Sequence, residues 1–582
     1  MSEEKTFSFM RSLCMGMIEE DAILPYPKMD EEEKETLKMM CSAIGEMLKP
    51  HEEDFRKWDR EGEMPESFIQ ELREMGVFGF VIPEDFGGLG FKSAAYSRAL
   101  QELAKYDAST AVTVGAHSSI GMRGLLLFGT KEQRERYYPQ LATGEMIAAF
   151  CLTEPGAGSD AASIKTTAIL DGDEWVLNGS KLWITNGGIA DFFTVFAKTG
   201  DIETRGKMSA FLVTKDMPGV SISEHEDKMG LRSSSTTSVY FDDVRVPKDN
   251  LLGDLGKGFK IAMSILNSGR TGLGGGSVGM MKRLIELSTK QATERKQFEK
   301  SISEFGLIQS KVGNMVVKCY AAESVVNMVA GIIDQGHEDY AVEAAISKVF
   351  ATEALWDVAD EALQIAGGNG FMCEFPYERF VRDCRINRIF EGTNEILRLF
   401  IALTAMNDVG AELKELGKSL GDIMKHPIKG FGVLTDYALK KVSLATNLGR
   451  AKGSFSQLKP ILGPYATIFE NGVRDLASAT DRILRKHGRE IIHKQFATKR
   501  LANIMIDLFV LACVLSRVHT SIVDNGLAVA EKELEILQVF SRQAQGRIRR
   551  NFNLIDYNDD EQLKSLAKHA FDAQGYTWDS ID

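Results

Sequence analysis

Apolar residues along this chain change their spacing twice. From about residue 25 to residue 145 the period is helical. Met29-Asp30-Glu31-Glu32-Glu33 opens a charged amphipathic segment in which Leu37, Met40, Ile44 and Leu48 recur on one face. A second helix is predicted from Ser67 to Met75. A loop follows from Phe78 to Gly90, because Pro83 and the glycines after it cannot continue a helix. Ala94 to Leu103 and Ser109 to Leu127 are again helical. Near residue 146 the period drops to two. Thr166 to Leu170, Trp175 to Asn178 and Lys181 to Thr185 read as strands separated by turns at Asp171-Gly172-Asp173 and Asn178-Gly179. Phe192 to Lys198, Met208 to Thr214, Val220 to Ser223 and Thr237 to Val246 add four more. Short strands without intervening helices predict an antiparallel barrel or sandwich. From Leu251 to about Met406 helical spacing returns in four stretches, enough for a bundle. The remaining chain is also largely helical.

The expected fold class is therefore a multidomain α+β protein, mainly α. It has an N-terminal helical domain, a middle antiparallel β-barrel, a four-helix bundle and an extra helical C-terminal domain. The expected boundaries are an arm at 1–28, then 29–147, 148–255, 256–410, a basic amphipathic linker at 411–470, and 471–582.

Composition narrows the partners. The chain has 582 residues, 44% of them hydrophobic, so several domains with a large core are accessible. A formal net charge of −13 argues against nucleic-acid binding through general phosphate attraction. No apolar run is expected to reach the length of a membrane span. The start, Met1-Ser2-Glu3-Glu4-Lys5, resembles neither a signal peptide nor an Arg-rich transit peptide. The seven cysteines are scattered with no C-x-x-C pair, which suits a reducing compartment better than a disulfide framework or a zinc site. The cytoplasm is the expected location, and no metal is expected.

The stretch from Arg385 to Arg398 carries the sharpest chemical suggestion. It runs from an apolar approach to a single acid, Glu391, a Gly392-Thr393-Asn394 turn, and an amphipathic helix that Thr393 or Asn394 would cap. A carboxylate placed there can be partly desolvated, which raises its pKa, while nearby amides polarise a bound carbonyl. That suits a base removing a proton beside a carbonyl. Read alone, Glu391 is more simply an acid complementing a helix dipole. The Phe150–Asp160 stretch holds a Gly-x-Gly, but hairpins follow it, so a Rossmann reading fails. It is either a polar loop facing a ligand or a linking turn. Trp183 at a strand end is either core packing or a platform for a ring. Gly367-Gly368, after Gln364, reads alone as a helix C-cap. Arg295 reads alone as a solvated charge.

Taken together and in this order, these segments resemble the acyl-CoA dehydrogenase family over roughly residues 30 to 405. They include Pro83 to Gly90, Thr153 to Asp160, Trp183-Ile184-Thr185-Asn186-Gly187, Glu294-Arg295-Lys296-Gln297-Phe298, Gln364 to Gly370 and Glu391-Gly392-Thr393. The resemblance implies FAD as cofactor and acyl-CoA as substrate. Phe150, Leu152, Thr153 and Ser159 would line the flavin and the thioester, and Trp183, Ile184 and Thr185 would pack on the isoalloxazine ring. Arg295, Gln297, Gln364, Gly367 and Gly368 would hold the FAD pyrophosphate and adenosine, partly across a homodimer interface. Thr393, Asn394 and Glu395 would touch FAD, and Phe390 and Gly392 the substrate. Asn267 and Arg270 match the family segment near the CoA moiety. Glu391 falls on the catalytic base, removing the α-proton as the β-hydride passes to flavin N5 and leaving a trans-2-enoyl-CoA. Some members carry the base on another helix, but here no Asp or Glu occurs from Leu255 to Ile285.

The chain continues about 175 residues past the end of a typical short member, which resembles the very-long-chain branch and its relative acting in respiratory complex I assembly. Between Lys425 and Lys459, seven cations face one acid, Asp436, a local excess of six (seven minus one) in an acidic protein. With apolar residues interleaved, this stretch could lie on an anionic membrane or cover the bundle as a basic loop. The small Gly115-Ala116 pair permits a long acyl tail and equally suits close helix packing. The expected function is FAD-dependent dehydrogenation of long- or very-long-chain acyl-CoA with electron-transferring flavoprotein as acceptor. The alternatives are a scaffold on the same fold acting through protein partners, and a flavin oxidase.

Overall fold

The computed structural model describes residues 8–200, 206–410 and 453–581. By contacts the described chain divides into two compact units, residues 23–397 and residues 8–22 with 398–581. Helix α1 (Phe9–Cys14), expected within an N-terminal arm, counts with the second unit.

In the first unit, α2 (Glu31–Leu48) starts where Asp30 caps it, the Asp30 carboxylate accepting from Glu33 N at 2.9 Å. Helices α3 (Glu52–Glu61), α4 (Glu66–Glu74) and α5 (Ser93–Tyr106) follow. The helix expected from Ser109 to Leu127 is three pieces: α6 (Ala108–Gly115), a π-helical segment (Ala116–Gly121) and α7 (Arg123–Phe128). The cause is tertiary. Ala148 N donates to His117 Nδ1 at 2.9 Å, and a Cβ on Gly121 would lie 2.7 Å from the Ala148 carbonyl carbon, so a strand presses against the opened turn. Helix α8 (Lys131–Thr143) closes this layer with a Thr130–Gln133 capping box.

The β domain comprises β1 (Ala148–Cys151), β2 (Thr167–Asp171), β3 (Glu174–Thr185), β4 (Phe192–Thr199), β5 (Met208–Thr214), β6 (Val220–Ile222), β7 (Thr236–Pro247) and β8 (Leu251–Leu252). The order is β6-β7-β3-β2-β4-β5-β8, with β1 beside β4. Five pairings are antiparallel, but β1–β4 and β2–β4 are parallel, so the sheet is mixed rather than wholly antiparallel. β4 and β5 are buried on both faces. Phe193, Val195 and Ala197 join the sheet's own core, while Phe192 and Phe196 face the helical core. Trp175 of β3 lies 5.4 Å from Phe211 of β5, three strands along the order, so the sheet curls around that core. The turn expected at Asn178-Gly179 is a bulge inside the single strand β3. Register shifts there against β7, and Gly179 sits at φ 150 with Thr166 filling the place of a side chain.

The bundle comprises α9 (Gly258–Glu294), α10 (Gly306–Asp334), α11 (Ala341–Ala366), α12 (Gly368–Phe371), α13 (Tyr377–Arg385) and the start of α14 (Asn394–Ala405). Helices α9 and α5 touch backbone to backbone: a Cβ on Gly279 would come within 2.0 Å of Gln101 O. In the second unit α1 packs with α15 (Gly463–His487) and α16 (Gln495–Asn525), the Phe9 ring lying 6.5 Å from Phe469 and 6.0 Å from Phe509, and α17 (Glu531–Asp556) and α18 (Asp560–Ala573) complete the unit. Contrary to the sequence expectation, α10 and α16 are long and apolar enough, by length and composition, to cross a membrane; most of each apolar stretch is buried inside the protein.

Candidate active site

The turn between α13 and α14 is built on unusual backbone. Ile389 N and Phe390 N both donate to Ile386 O, and the chain then enters the left-handed region at two consecutive residues, Glu391 (φ 55) and Gly392 (φ 91). Glycine takes that conformation freely, but a glutamate there is strained by about 1–3 kcal/mol, so its surroundings must hold it. Thr393 does so from one side, its Oγ1 accepting from Ile396 N at 3.3 Å as the cap of α14. Lys348 of α11 does so from beneath. It is fully buried, and its Nζ donates to Gly392 O at 2.9 Å and to Asn394 Oδ1 at 2.8 Å. Asn394 Nδ2 then donates to Thr352 Oγ1 and Glu353 Oε1, both at 3.1 Å.

Above this turn, Glu391 Oε2 is buried and makes no hydrogen bond among the described residues. The Glu391 side chain reaches α9 where that helix is thinnest: a Cβ on Gly269 would stand 3.6 Å from Oε1. Arg270, the next residue, is also buried, with Nη1 donating to Asn267 Oδ1 at 2.5 Å. Burial pushes the Glu391 carboxyl above its ordinary range, opposed by Lys348 and then Arg270. Burial also brings Lys348 down to about 7 against the pull of Glu391, and Arg270 down to about 10. A carboxylate that is desolvated, unpartnered and raised in proton affinity has the properties of a base.

A second wall lies at the ends of β1 and β3. Leu182 N donates to Thr153 O at 2.9 Å. Lys181, fully buried, donates to Glu154 Oε1 and Phe196 O at 2.7 Å each and to Leu152 O at 3.3 Å. The Glu154 carboxylate also accepts from Lys165 N, Thr166 N and Thr166 Oγ1, which holds its pKa low despite burial. The Thr153 loop is therefore clamped to β3, the strand that carries Trp183, more than a linking turn requires. Trp183 sits at φ 57 and is 63% exposed, so it lies outside the core. Ile184 is inside the sheet's core, and Thr185 is half-buried. Asn186 Nδ2 ties this strand end to Thr113 O of α6 at 2.9 Å.

The structure thus gathers Glu391, Gly392, Asn394, Asn267 and Arg270 into one cluster, with Phe390 and Thr393 half-buried in the same turn. Leu152 and Thr153 join the Trp183 strand, and the Phe150 ring, half-buried, lies 5.1 Å from Phe196. Ser159, Arg295, Gln297, Gln364, Gly367, Gly368 and Glu395 are exposed. Arg295 closes α9, and Gln297 stands in the hairpin β9 (Lys296–Gln297) and β10 (Lys300–Ser301). Lys181, Glu154 and Lys348 went unassigned from sequence. Their signals were a lysine sharing the buried parity of Trp175 and Leu177, an acid inside the Thr153 loop, and one cation in the apolar Ala344–Ala351 run.

Three consecutive families match in chain order: acyl-CoA dehydrogenase N-terminal domain over residues 30–145, middle domain over 149–244 and C-terminal domain over 256–406. The ACAD9/ACADV C-terminal domain matches residues 460–576. The mitochondrial very long-chain specific acyl-CoA dehydrogenase of Bos taurus is 41% identical over 96% of this chain and 87% of its own length. A probable acyl-CoA dehydrogenase of Bacillus subtilis is 35% identical over 92% and 88%. An acyl-CoA dehydrogenase from Bacillus anthracis, solved in complex with FAD, superposes with a TM-score of 0.79 at 34% identity, covering 96% of this chain and 94% of that one. Sequence and architecture agree along nearly the whole length, and this chain belongs to the acyl-CoA dehydrogenase family.

Proposed function

We propose that this protein dehydrogenates long- or very-long-chain acyl-CoA thioesters to trans-2-enoyl-CoA with FAD as cofactor, Glu391 taking the α-proton. The observation that carries this is the Glu391 carboxylate: buried, without a hydrogen-bond partner among the described residues, and raised in proton affinity by burial.

The residues present fit FAD. An exposed indole, Trp183, suits a planar ring, the hydroxyls of Thr153, Ser159 and Thr185 suit its polar edge, and the exposed Arg295 suits phosphate. Gly367 and Gly368 have open space where side chains would be, which permits close approach of a ligand. Bound there, FAD supplies the acceptor for the β-hydrogen and its electron pair.

The chain's own contribution is to weaken the α-C–H bond and hold the proton once it leaves. The Glu391 N–H has no acceptor among the described residues, so it is available to the thioester oxygen and stabilises the enolate that forms as the proton departs. The carboxylate receives that proton, and its burial makes the transfer favourable. The turn fixes both groups on one residue, so donor and base are aligned together.

Long acyl chains are favoured by the small Gly115-Ala116 pair, by the matched C-terminal domain and by relatives named as very long-chain specific. We assign electron-transferring flavoprotein as acceptor and a homodimer as the working form, its interface completed by Arg295, Gln297, Gln364 and Gly368. The location is the cytoplasm, with the basic stretch 425–459 on an anionic membrane surface; most of that stretch lies outside the described residues.

The test is anaerobic titration of the yellow protein with acyl-CoAs from short to very long chains, following flavin bleaching near roughly 450 nm. Bleaching is expected to be strongest with long chains. A yellow protein reduced by no acyl-CoA would point to a scaffold, and turnover with oxygen as sole acceptor to an oxidase.

A further inference from the structure

We propose that Lys348 is a positioning residue for the base: it holds the strained Glu391-Gly392 turn in its left-handed form and sets how tightly Glu391 keeps a proton. This rests on the reading of Glu391 as the base.

The geometry is specific. A fully buried lysine would ordinarily pair with a carboxylate, because an isolated buried ammonium is costly. Lys348 instead donates to two neutral oxygens, Gly392 O and Asn394 Oδ1, which follow Glu391 by one residue and by three. Those bonds fix the peptide after Gly392 and the residue that anchors the start of α14, so the Glu391-Gly392 turn cannot relax without breaking them. Asn394 is held in turn by Thr352 and Glu353, one turn further along the same helix, so the grip is rigid.

The same placement has an electrostatic consequence. An ammonium uses three donors and a neutral amine two, so either form can satisfy both oxygens while only one carries charge. The turn's geometry therefore survives titration of Lys348, but the field at Glu391 does not. The charged groups facing this pair are Arg270 from α9, Glu353 from α11 and Glu395 from α14, while Tyr96 of α5 is a buried phenol within the field of Glu391. Arg270 stays cationic throughout, so Lys348 is the group whose charge changes near neutrality. A cationic Lys348 favours the ionised base and a neutral one favours its protonated form.

The decisive variant is Lys348→Gln, which keeps an N–H donor, one bond shorter, and removes the charge. The pH dependence of kcat/KM is expected to show its acid limb displaced upward by about one pH unit, with FAD content and thermal midpoint little changed. Lys348→Met, lacking donor and charge, should displace the limb likewise and lower kcat by a further ~10-fold as the turn loosens. An unshifted limb in a stable, yellow Lys348→Gln protein overturns the proposal. If Lys348→Gln does not fold, the coupling is read in the other direction. In ε-carbon-labelled lysine NMR of the holoprotein, the lysine titrating near neutrality should titrate at lower pH in Glu391→Gln, because its attracting anion is gone. An unchanged titration also overturns it. Failure of the underlying reading looks different: Glu391→Gln would then turn over like wild type, whatever Lys348 does.

Discussion

Glu391 combines two unfavourable states in one residue, a left-handed backbone and a desolvated carboxylate, and each has a functional reading. The left-handed backbone leaves its N–H without an acceptor among the described residues, and the desolvation makes the carboxylate hungry for a proton. Glu391→Gln keeps the shape and removes the basicity. It should retain bound FAD and lose dehydrogenation by about 10³-fold or more, as measured by single-turnover flavin reduction. Wild-type-like reduction would sink the assignment. The same substitution has a stability consequence whose sign follows from linkage. Burial raises the folded-state pKa of Glu391 above its unfolded value. Its contribution to stability is therefore fully present below the ordinary carboxylate range and is lost as pH rises through the raised value. Glutamine does not titrate, so at neutral pH the variant should be the more stable protein, and the difference should vanish in acid. Urea midpoints across pH measure this. At this scale the sequence named Glu391 correctly as an acid beside a helix start, but nothing local told of Lys348, which lies 43 positions earlier (391 − 348) and meets the turn only through the packing of α11.

At the scale of elements, local signals failed where two elements press on each other. Asn178-Gly179 is a strong hairpin signal, yet β3 runs straight through it as a bulge because β7 pairs with both halves. Gly179 is required there twice over, by its φ of 150 and by Thr166 Oγ1, which would lie 2.5 Å from a new Cβ. Gly179→Ala should accordingly cost about 1–3 kcal/mol in chemical denaturation, while the same change at Gly158, where nothing lies within 4 Å, should cost little. Equal effects at the two sites would mean the bulge is not held by Thr166. Strand β1 was missed for a related reason. Its four residues are all small or apolar, without alternation, because it lies in parallel beside β4 and under the π-helical turn. The broken helix at Ala116 reflects the same contact seen from the other side.

At the scale of the whole molecule, the two compact units divide the labour between a matched dehydrogenase body and a helical C-terminal addition. The long apolar helix α16 belongs to the core of the second unit, where it reads as a packing element despite its membrane-like composition. Most of the basic stretch 425–459 lies outside the described residues. Its charge alone makes a prediction: replacing Lys440 and Lys441 with Gln should weaken flotation with anionic vesicles several-fold, more so at low salt, without changing turnover of soluble acyl-CoA. Unchanged flotation would assign the stretch to the protein's own surface.

What the sequence determined by itself was everything carried by period and by contiguous motif. This includes the helical and β regions in order, the extension, the acid before the Gly-Thr-Asn turn, and the indole at a strand end. These survive because each is a property of a few neighbouring residues. What only the tertiary structure decided was everything that depends on distant segments meeting: the parallel pairings of β4, the opened helix at Ala116, the Glu154–Lys181 clamp and the buried lysine under the base. Burial is the physical reason. A lysine in a helix or an acid in a loop has no particular chemistry until the rest of the chain removes water from around it.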